Sequence, residues 1–315
     1  MILGAGSASP VLGRYPSSQL LTYENEQYLI DCGEGTQFRL LEQKFRPSKL
    51  KGIFISHLHG DHFFGLIGLL SSLNLGGRTD ELFLFGPQGL DEILTIQFKH
   101  AQTPLRFPVH FTATDTERHY QLFENQYLTV HTIPLSHRIP CAGYLFREKR
   151  QKRKLIKEKL TEDIPFEYLR LLKNGEDVQD ESGKLLFSFE EFTLPAALPR
   201  SYAYCSDTRY DECIIDYVKG VDLLYHEATF QEDLAHQAAE RFHATARQAA
   251  IIAQKAQVEK LLIGHFSSRY KTDEGFLSDA QSVFLNTDIA EEGKTFNIPA
   301  IPSGDFALQL DRRES

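Results

Sequence analysis

The 315-residue chain is poor in cysteine: Cys32, Cys141, Cys205 and Cys213 lie far apart and form no C-x-x-C pair. That excludes a disulfide framework and a thiolate zinc site, and it suits reduced thiols buried in the core of a cytoplasmic protein. Long apolar runs are missing too. The longest, Phe63 to Leu75, is short and broken by Gly and Ser, so it reads as a buried helix rather than a membrane span. The first residues lack the charged, apolar and small-residue order of a signal peptide, and no solenoid-period repeat is present. Positive charge is also scarce. The net charge of −9 argues, taken alone, against a polyanionic partner. With 42% hydrophobic and 24% charged residues, the composition is that of a soluble globular protein large enough for an ordinary core.

The average conceals one basic stretch. "REKRQKRKLIKEK", Arg147 to Lys159, carries eight Lys or Arg against two Glu. Composition alone leaves open whether this is a solvated surface or a binding element. Elsewhere, strand-like and helix-like text alternates, which predicts a layered α/β fold. "LKGIFIS", "ELFLFG", "QYLTVHTIPL", "CAGYLFR", "SYAYCS", "VDLLYHEAT" and "KLLIGH" read as strands, and "GLDEILTIQFKHA" and "TARQAAIIAQKAQ" as helices. Thr245 followed by Gln248 is a capping box that starts the second helix. From about residue 147 to 193 the alternation fails, and the charged text, with "KNGEDVQDESGK", reads as an inserted excursion of helix and turn.

Chemistry concentrates in "SHLHGDH". His57 and His59 are two apart, so an extended or tightly looped backbone can aim both imidazoles the same way. Asp61 and His62 follow at the expected start of a helix. Imidazole and carboxylate are the ligands zinc takes when thiolate is absent. Three further candidates stand where strand-like runs stop: His137 after "TIPLS", Asp207 after "AYCS" and His265 after "LLIG". Each alone reads as a turn or cap residue. Strand ends along one edge of an α/β sheet are nevertheless where such folds place their sites. Five His and two Asp are enough for two metals and too many for one tetrahedral zinc. A shared carboxylate would hold two cations where they clamp the attacking and leaving oxygens of a displacement, an arrangement suited to phosphodiester hydrolysis.

These motifs resemble the metallo-β-lactamase superfamily and, within it, the ribonuclease Z family of transfer RNA 3′-processing endonucleases. The resemblance rests on "LGAGSASP", "SSQLLTYENEQYLIDCGEGTQFRLL", "SHLHGDH", "IPLSHRIPCAGYLF", "YCSDT", "GVDLLYHEATF", "HATARQAA", "LLIGHFSSRY" and "FLNTDIAEEGKTFNIP". It spans nearly the whole chain outside the charged excursion. It implies one αββα sandwich over residues 1–315, two mixed sheets face to face with helices outside, and an inserted arm at 147–193. It also implies two zinc ions per chain. His57, His59 and His137 would hold one, and Asp61, His62 and His265 the other, with Asp207 bridging. A hydroxide between the metals would attack the phosphodiester, oriented or deprotonated by Asp61. His243, oriented by Glu227, would protonate the leaving 3′-oxygen. The substrate would be precursor transfer RNA, cut to leave a 3′-hydroxyl, and the protein a homodimer in the cytoplasm with no membrane attachment.

The resemblance also gives the basic excursion a purpose. The family's arm grips transfer RNA, and Arg147, Lys149, Arg150, Lys152, Arg153 and Lys154 would supply phosphate contacts that the acidic body cannot. Ser267, Ser268 and Arg269, just beyond the last ligand, would meet substrate phosphate. Three departures from the family pattern stand out. The arm reads "EDIPFEYLRLLKNGE", without the usual Gly- and Pro-rich element. The early loop "SPVLGRYPSS" has Tyr15 where Asn is common, and the first strand starts almost at the first residue. The remaining histidines (His100, His110, His119, His131, His226 and His236) read as structural or surface residues. Two other functions compete: a hydrolase of the same superfamily acting on a small molecule, and a non-catalytic RNA-binding subunit. The full set of seven ligands speaks against the second, and the His243–Glu227 pair and the basic arm speak against the first.

Overall fold

The computed structural model describes residues 1–161 and 163–301. Glu162 of the arm text and residues 302–315 of the expected single domain lie outside the described residues. Two compact units are present. The larger comprises Met1–Glu124, Thr129–Phe146 and Ser201–Asn297; the smaller comprises, among the described residues, Asn125–Leu128, Arg147–Arg200 and residues 298–301.

The larger unit is an αββα sandwich. Its first sheet has the order β1 (Ile2–Gly4), β2 (Ser18–Tyr23), β3 (Glu26–Cys32), β4 (Leu50–Phe54), β5 (Leu82–Gly86), β6 (Val109–Ala113). The β1–β2 and β2–β3 pairs are antiparallel, and the pairs from β3 to β6 are parallel. Helices α1 (Thr36–Glu42), α2 (Gly60–Phe63), α3 (Leu66–Leu75) and α4 (Leu90–His100) connect these strands. Both faces of the sheet are covered, which is why β4 and β5 read as nearly continuous apolar text.

The chain then enters β7 (Gln121–Glu124), β8 (Leu128–Pro134) and β9 (Ala142–Glu148) and leaves for the smaller unit. There it forms β10 (Lys154–Leu155), α5 (Phe166–Asn174), β11 (Val178–Gln179), β12 (Leu185–Phe187), α6 (Phe189–Phe192) and β13 (Thr193–Leu194). It returns through β14 (Ser201–Cys205), α7 (Ile214–Val218), β15 (Leu223–Glu227), α8 (Ala235–Glu240), α9 (Ala246–Lys255), β16 (Leu261–Gly264), α10 (Glu274–Gln281) and β17 (Thr287–Ile289). The second sheet has the order β17-β16-β15-β14-β9-β8-β7, with β14 to β17 parallel.

The inner faces of the two sheets meet through aromatic rings. The Tyr144 hydroxyl donates to the Ile55 carbonyl at 2.6 Å, Tyr202 donates to Gln19, and Phe54 lies 5.3 Å from Tyr144 and 5.2 Å from Phe146 between centroids. Outside the first sheet, Leu66, Leu69 and Leu73 of α3 and Leu90 and Leu94 of α4 join Ile53, Leu82 and Leu84 in one core. Outside the second, Ala246, Ala249, Ala250 and Ala253 of α9 pack with Leu224, Leu261 and Ile263, their small side chains letting the helix lie close to the strands. The expected capping box of α9 is present, Gln248 N–H donating to Thr245 Oγ1 and Thr245 N–H to Gln248 Oε1.

Two expectations need correction. Cys32, Cys141 and Cys205 are buried, but Cys213 is exposed, because it sits at the start of α7, outside the sheet layers, with its N–H donated to Asp211 Oδ1. The excursion is also more than helix and turn. β10 pairs with β13 and β11 with β12, antiparallel in both cases, around the buried Ile164, Leu172 and Val178.

Candidate metal centre

The site lies at the C-terminal ends of the larger unit's strands. β4 ends at Phe54, and the chain runs through Ser56, His57 and His59 into α2, which carries Asp61 and His62. This loop is pressed against the end of β3. A Cβ on Gly33 would stand 2.5 Å from the Asp61 carbonyl oxygen, and one on Gly65 would stand 2.1 Å from that of Gly33, so both positions need glycine. His137 follows β8, Asp207 follows β14, Glu227 ends β15 and His265 follows β16. His265 holds φ 63°, left-handed backbone that is costly for a non-glycine residue and is concentrated at functional sites.

Seven expected ligands converge as two groups. Ligand atoms of His57, His59, His137 and Asp207 all lie within 4.8 Å of one another, and so do those of Asp61, His62 and His265. Asp207 faces both groups. Its Oδ2 is 3.6 Å from His57 Nε2 and 3.8 Å from His137 Nε2, while its Oδ1 is 3.4 Å from His62 Nε2 and 3.2 Å from His265 Nε2. Asp61 Oδ2 stands 3.3 Å from His62 Nε2 and 3.5 Å from His265 Nε2.

The hydrogen bonds show that this donor set fits a cation. His137 Nδ1 donates to the Phe242 carbonyl at 3.0 Å, which leaves a lone pair on Nε2. That lone pair points toward His59 Nδ1 at 3.1 Å, which is itself 3.1 Å from His57 Nε2. His57 Nε2 and His137 Nε2 also face Asp207 Oδ2, so imidazole nitrogens and a carboxylate oxygen converge on one point, the donor arrangement a cation takes. His62 Nε2 and Asp207 Oδ1 are buried and without a hydrogen-bond partner, as metal-ligating atoms would be.

Electrostatics agree. Burial, with the neighbouring imidazoles of His62, His137 and His59, holds the His57 pKa well below its ordinary value. Burial dominates at His59 and His137 as well, and both are lowered, which keeps imidazole neutral and able to ligate. His62 behaves oppositely: burial lowers its pKa, but the Asp207, Asp61 and Asp31 carboxylates outweigh burial and raise it well above the ordinary value. Asp61 is ionised, burial being outweighed by His62 and His265.

Beside these two groups lies a histidine–carboxylate pair. His243 Nδ1 is 2.8 Å from Glu227 Oε1. Burial opposes charge on both partners, but their attraction raises His243 to about 9 and lowers Glu227 to about 2. The pair is therefore an imidazolium and a carboxylate near neutral pH. Thr208 N–H and Thr229 N–H donate to the two Glu227 oxygens, each at 3.0 Å, and fix the carboxylate.

One residue acquires a role that its sequence position did not reveal. Asp31, next to last in β3, is fully buried and holds φ 56°. Its Oδ1 accepts from Ser56 N–H at 2.7 Å. Its Oδ2 accepts from His62 Nδ1 at 2.7 Å, Tyr204 Oη at 2.6 Å and Ser56 Oγ at 2.9 Å. This carboxylate fixes the His62 tautomer, and through Ser56 Oγ, 3.0 Å from His57 Nδ1, it reaches the other group. The signal that could have found it is the one that found Asp207, an aspartate at the end of an apolar strand.

Of the expected substrate-binding residues, Ser267 is buried, while Ser268 and Arg269 are exposed. Arg269 Nη1 donates to Gln237 Oε1 at 2.9 Å. In the smaller unit, Arg147, Arg150, Lys152 and Lys154 are exposed and Lys149 is half-buried. Arg153 is engaged within its unit, donating through Nε to Thr193 Oγ1 at 2.6 Å and lying over the Phe189 ring at 4.8 Å. The six other histidines stay outside both ligand groups; His226 is buried, with Nδ1 donating to the Glu227 carbonyl at 2.7 Å.

An αββα sandwich with paired His/Asp groups at its strand ends defines a metal-dependent hydrolase of the metallo-β-lactamase fold. The family model of the anti-Pycsar protein Apyc1 matches residues 1–137. Ribonuclease Z of Cytophaga hutchinsonii is 50% identical over 297 residues, 94% of this chain and 95% of that one. Ribonuclease Z of Bacteroides fragilis is 44% identical over 292 residues, 92% and 96% of the two chains. The crystal structure of human tRNase Z, short form, superposes with a TM-score of 0.68 at 26% identity, covering 95% of this chain and 98% of that one. The chain belongs to the ribonuclease Z family, and it is a zinc-dependent endoribonuclease of that type.

Proposed function

We propose that the protein removes the 3′ trailer from precursor transfer RNA, using two zinc ions per chain, and leaves a 3′-hydroxyl on the transfer RNA. The observation that carries this reading is the meeting of Asp207, which faces both groups, with the Glu227–His243 pair: His243 Nδ1 is 4.0 Å from Asp207 Oδ2. His57, His59 and His137 would hold one ion and Asp61, His62 and His265 the other, with one Asp207 oxygen turned to each. When bound, the ions supply Lewis acidity that acidifies water and neutralises charge developing on phosphate oxygens.

The chain's own groups do the rest. Ionised Asp61 orients the attacking water or takes its proton. Glu227 keeps the imidazolium of His243 protonated and turned by its Nδ1 contact, so that the opposite ring nitrogen, Nε2, is the one that donates to the leaving 3′-oxygen. The exposed bases of the inserted segment bind phosphates without reading sequence. A second copy is the proposed partner. Phe38 and Leu41 of α1, Phe64 after α2 and Leu75 of α3 are exposed apolar side chains on neighbouring helices, area that association would remove from water.

Incubation of the zinc-loaded protein with a 3′-extended precursor transfer RNA tests the reading. A single cut after the discriminator nucleotide, lost in His243→Ala, is expected. An intact precursor alongside hydrolysis of a chromogenic phosphodiester would assign the centre to a small-molecule substrate instead.

A further inference from the structure

Thr229 stands two residues beyond Glu227 and is buried, and its hydroxyl touches both halves of the machinery. Oγ1 is 2.7 Å from Glu227 Oε2, 2.8 Å from His265 Nδ1 and 3.2 Å from His243 Nδ1. The backbone leaves the side chain little choice of position: Thr229 N–H donates to Glu227 Oε2 at 3.0 Å, and its carbonyl accepts from Ser267 N–H at 3.2 Å.

Proton counting then fixes the direction of each contact. Glu227 receives Thr208 N–H and His243 Nδ1 on one oxygen and Thr229 N–H on the other, so it acts as an acceptor only. The single hydroxyl proton of Thr229 therefore goes to Glu227 Oε2. The oxygen is left to accept, and the shorter of its two imidazole contacts is His265 Nδ1. His265 carries its proton on Nδ1, and its Nε2 lone pair faces Asp207 Oδ1 and Asp61 Oδ2 at 3.2 and 3.5 Å.

We infer that Thr229 is a positioning residue that selects the metal-ligating tautomer of His265 and ties it to the Glu227–His243 pair. The inference rests on the two-zinc reading above. It has a counterpart in the other group, where Ser56 Oγ stands 3.0 Å from His57 Nδ1 and donates to Asp31 Oδ2 at 2.9 Å. Each group of ligands thus has one histidine backed by a hydroxyl that leads to a buried carboxylate. Partners of this kind raise ligand basicity and remove the cost of choosing a tautomer when the ion binds, an effect of about 10–100-fold in affinity.

The test is competitive zinc titration of metal-stripped protein against a chromophoric chelator, comparing wild type, Thr229→Ser, Thr229→Ala and Ser56→Ala. Thr229→Ser and Thr229→Ala lack the same methyl group and differ only in the hydroxyl, so loss of packing affects both alike. The inference expects Thr229→Ala to weaken one of two binding steps by about 10–100-fold, Thr229→Ser to bind like wild type, and Ser56→Ala to weaken the other step. Equal isotherms for Ser, Ala and wild type would overturn it, and so would equal weakening of Ser and Ala. Failure of the nuclease reading shows elsewhere, as an uncut precursor transfer RNA with wild-type protein, and leaves the isotherms as they are.

Discussion

His243 Nδ1 and Glu227 Oε1 meet at 2.8 Å, with the carboxylate wholly buried and the imidazole side chain 16% exposed. The buried partner fixes the charge and the exposed one reaches outward, an order suited to delivering a proton. His243→Ala should lower kcat for precursor cleavage by about 10²–10⁴-fold and leave zinc binding intact. Glu227→Gln should lower it less and shift the alkaline limb of the rate profile to lower pH. Single-turnover cleavage across pH checks both, and an unshifted limb in Glu227→Gln would remove Glu227 from the role.

The same pair makes stability depend on pH. The pKa of His243 is raised from 6.5 to about 9, so its contribution is full below 6.5 and is lost as pH rises through about 9. That of Glu227 is lowered from 4.5 to about 2, so its contribution is full above 4.5 and is lost as pH falls through about 2. In metal-free protein, the Tm difference between wild type and Glu227→Gln should therefore peak between pH 4.5 and 6.5 and shrink toward pH 9. Differential scanning fluorimetry reads this directly; a difference that grew with pH would contradict the assignment.

If His62 holds zinc as proposed, the ion would have to displace a proton from it. Burial lowers that group's pKa, but Asp207, Asp61 and Asp31 outweigh burial and raise it well above the ordinary value, which favours the imidazolium when no metal is bound. Calorimetric titration in buffers of different ionisation enthalpy should show net proton release at neutral pH, and affinity should rise with pH. Asp31→Asn removes one of the three charges and one hydrogen bond, and it should reduce the release while weakening binding by about 10–100-fold.

The two His/Asp groups were legible in the sequence because a strand followed by an abrupt His or Asp is a local pattern, and His137, Asp207 and His265 repeat it. The sandwich was legible for a related reason: strands covered on both faces must be apolar throughout. Asp31 was not. Its hydrogen-bond partners Ser56 and Tyr204 lie 25 and 173 residues away, and nothing near it in the chain announces them. Thr229 was hidden likewise, being one more hydroxyl in a strand-end turn until the fold brings His265 against it. Arg153 shows the opposite limit, since composition counts every arginine as available although this one is spent on Thr193 and Phe189.

That difference separates two kinds of arginine and lysine in the inserted segment, and salt dependence can tell them apart. Arg147, Arg150, Lys152 and Lys154 are exposed, and any phosphates they neutralised would release counterions on binding. Changing all four to Ala should weaken precursor binding and flatten the slope of log K against log salt by roughly 0.7–0.9 for each phosphate left unneutralised. Arg153→Ala should leave the slope alone, because its guanidinium is already held by Thr193 Oγ1 and the Phe189 ring, and should cost about 0.5–1 kcal/mol of local stability instead. Filter binding at several salt concentrations, paired with limited proteolysis of the segment, resolves the two effects. A slope that fell with Arg153→Ala and held in the fourfold variant would move the phosphate-binding role onto the residue that folding has tied down.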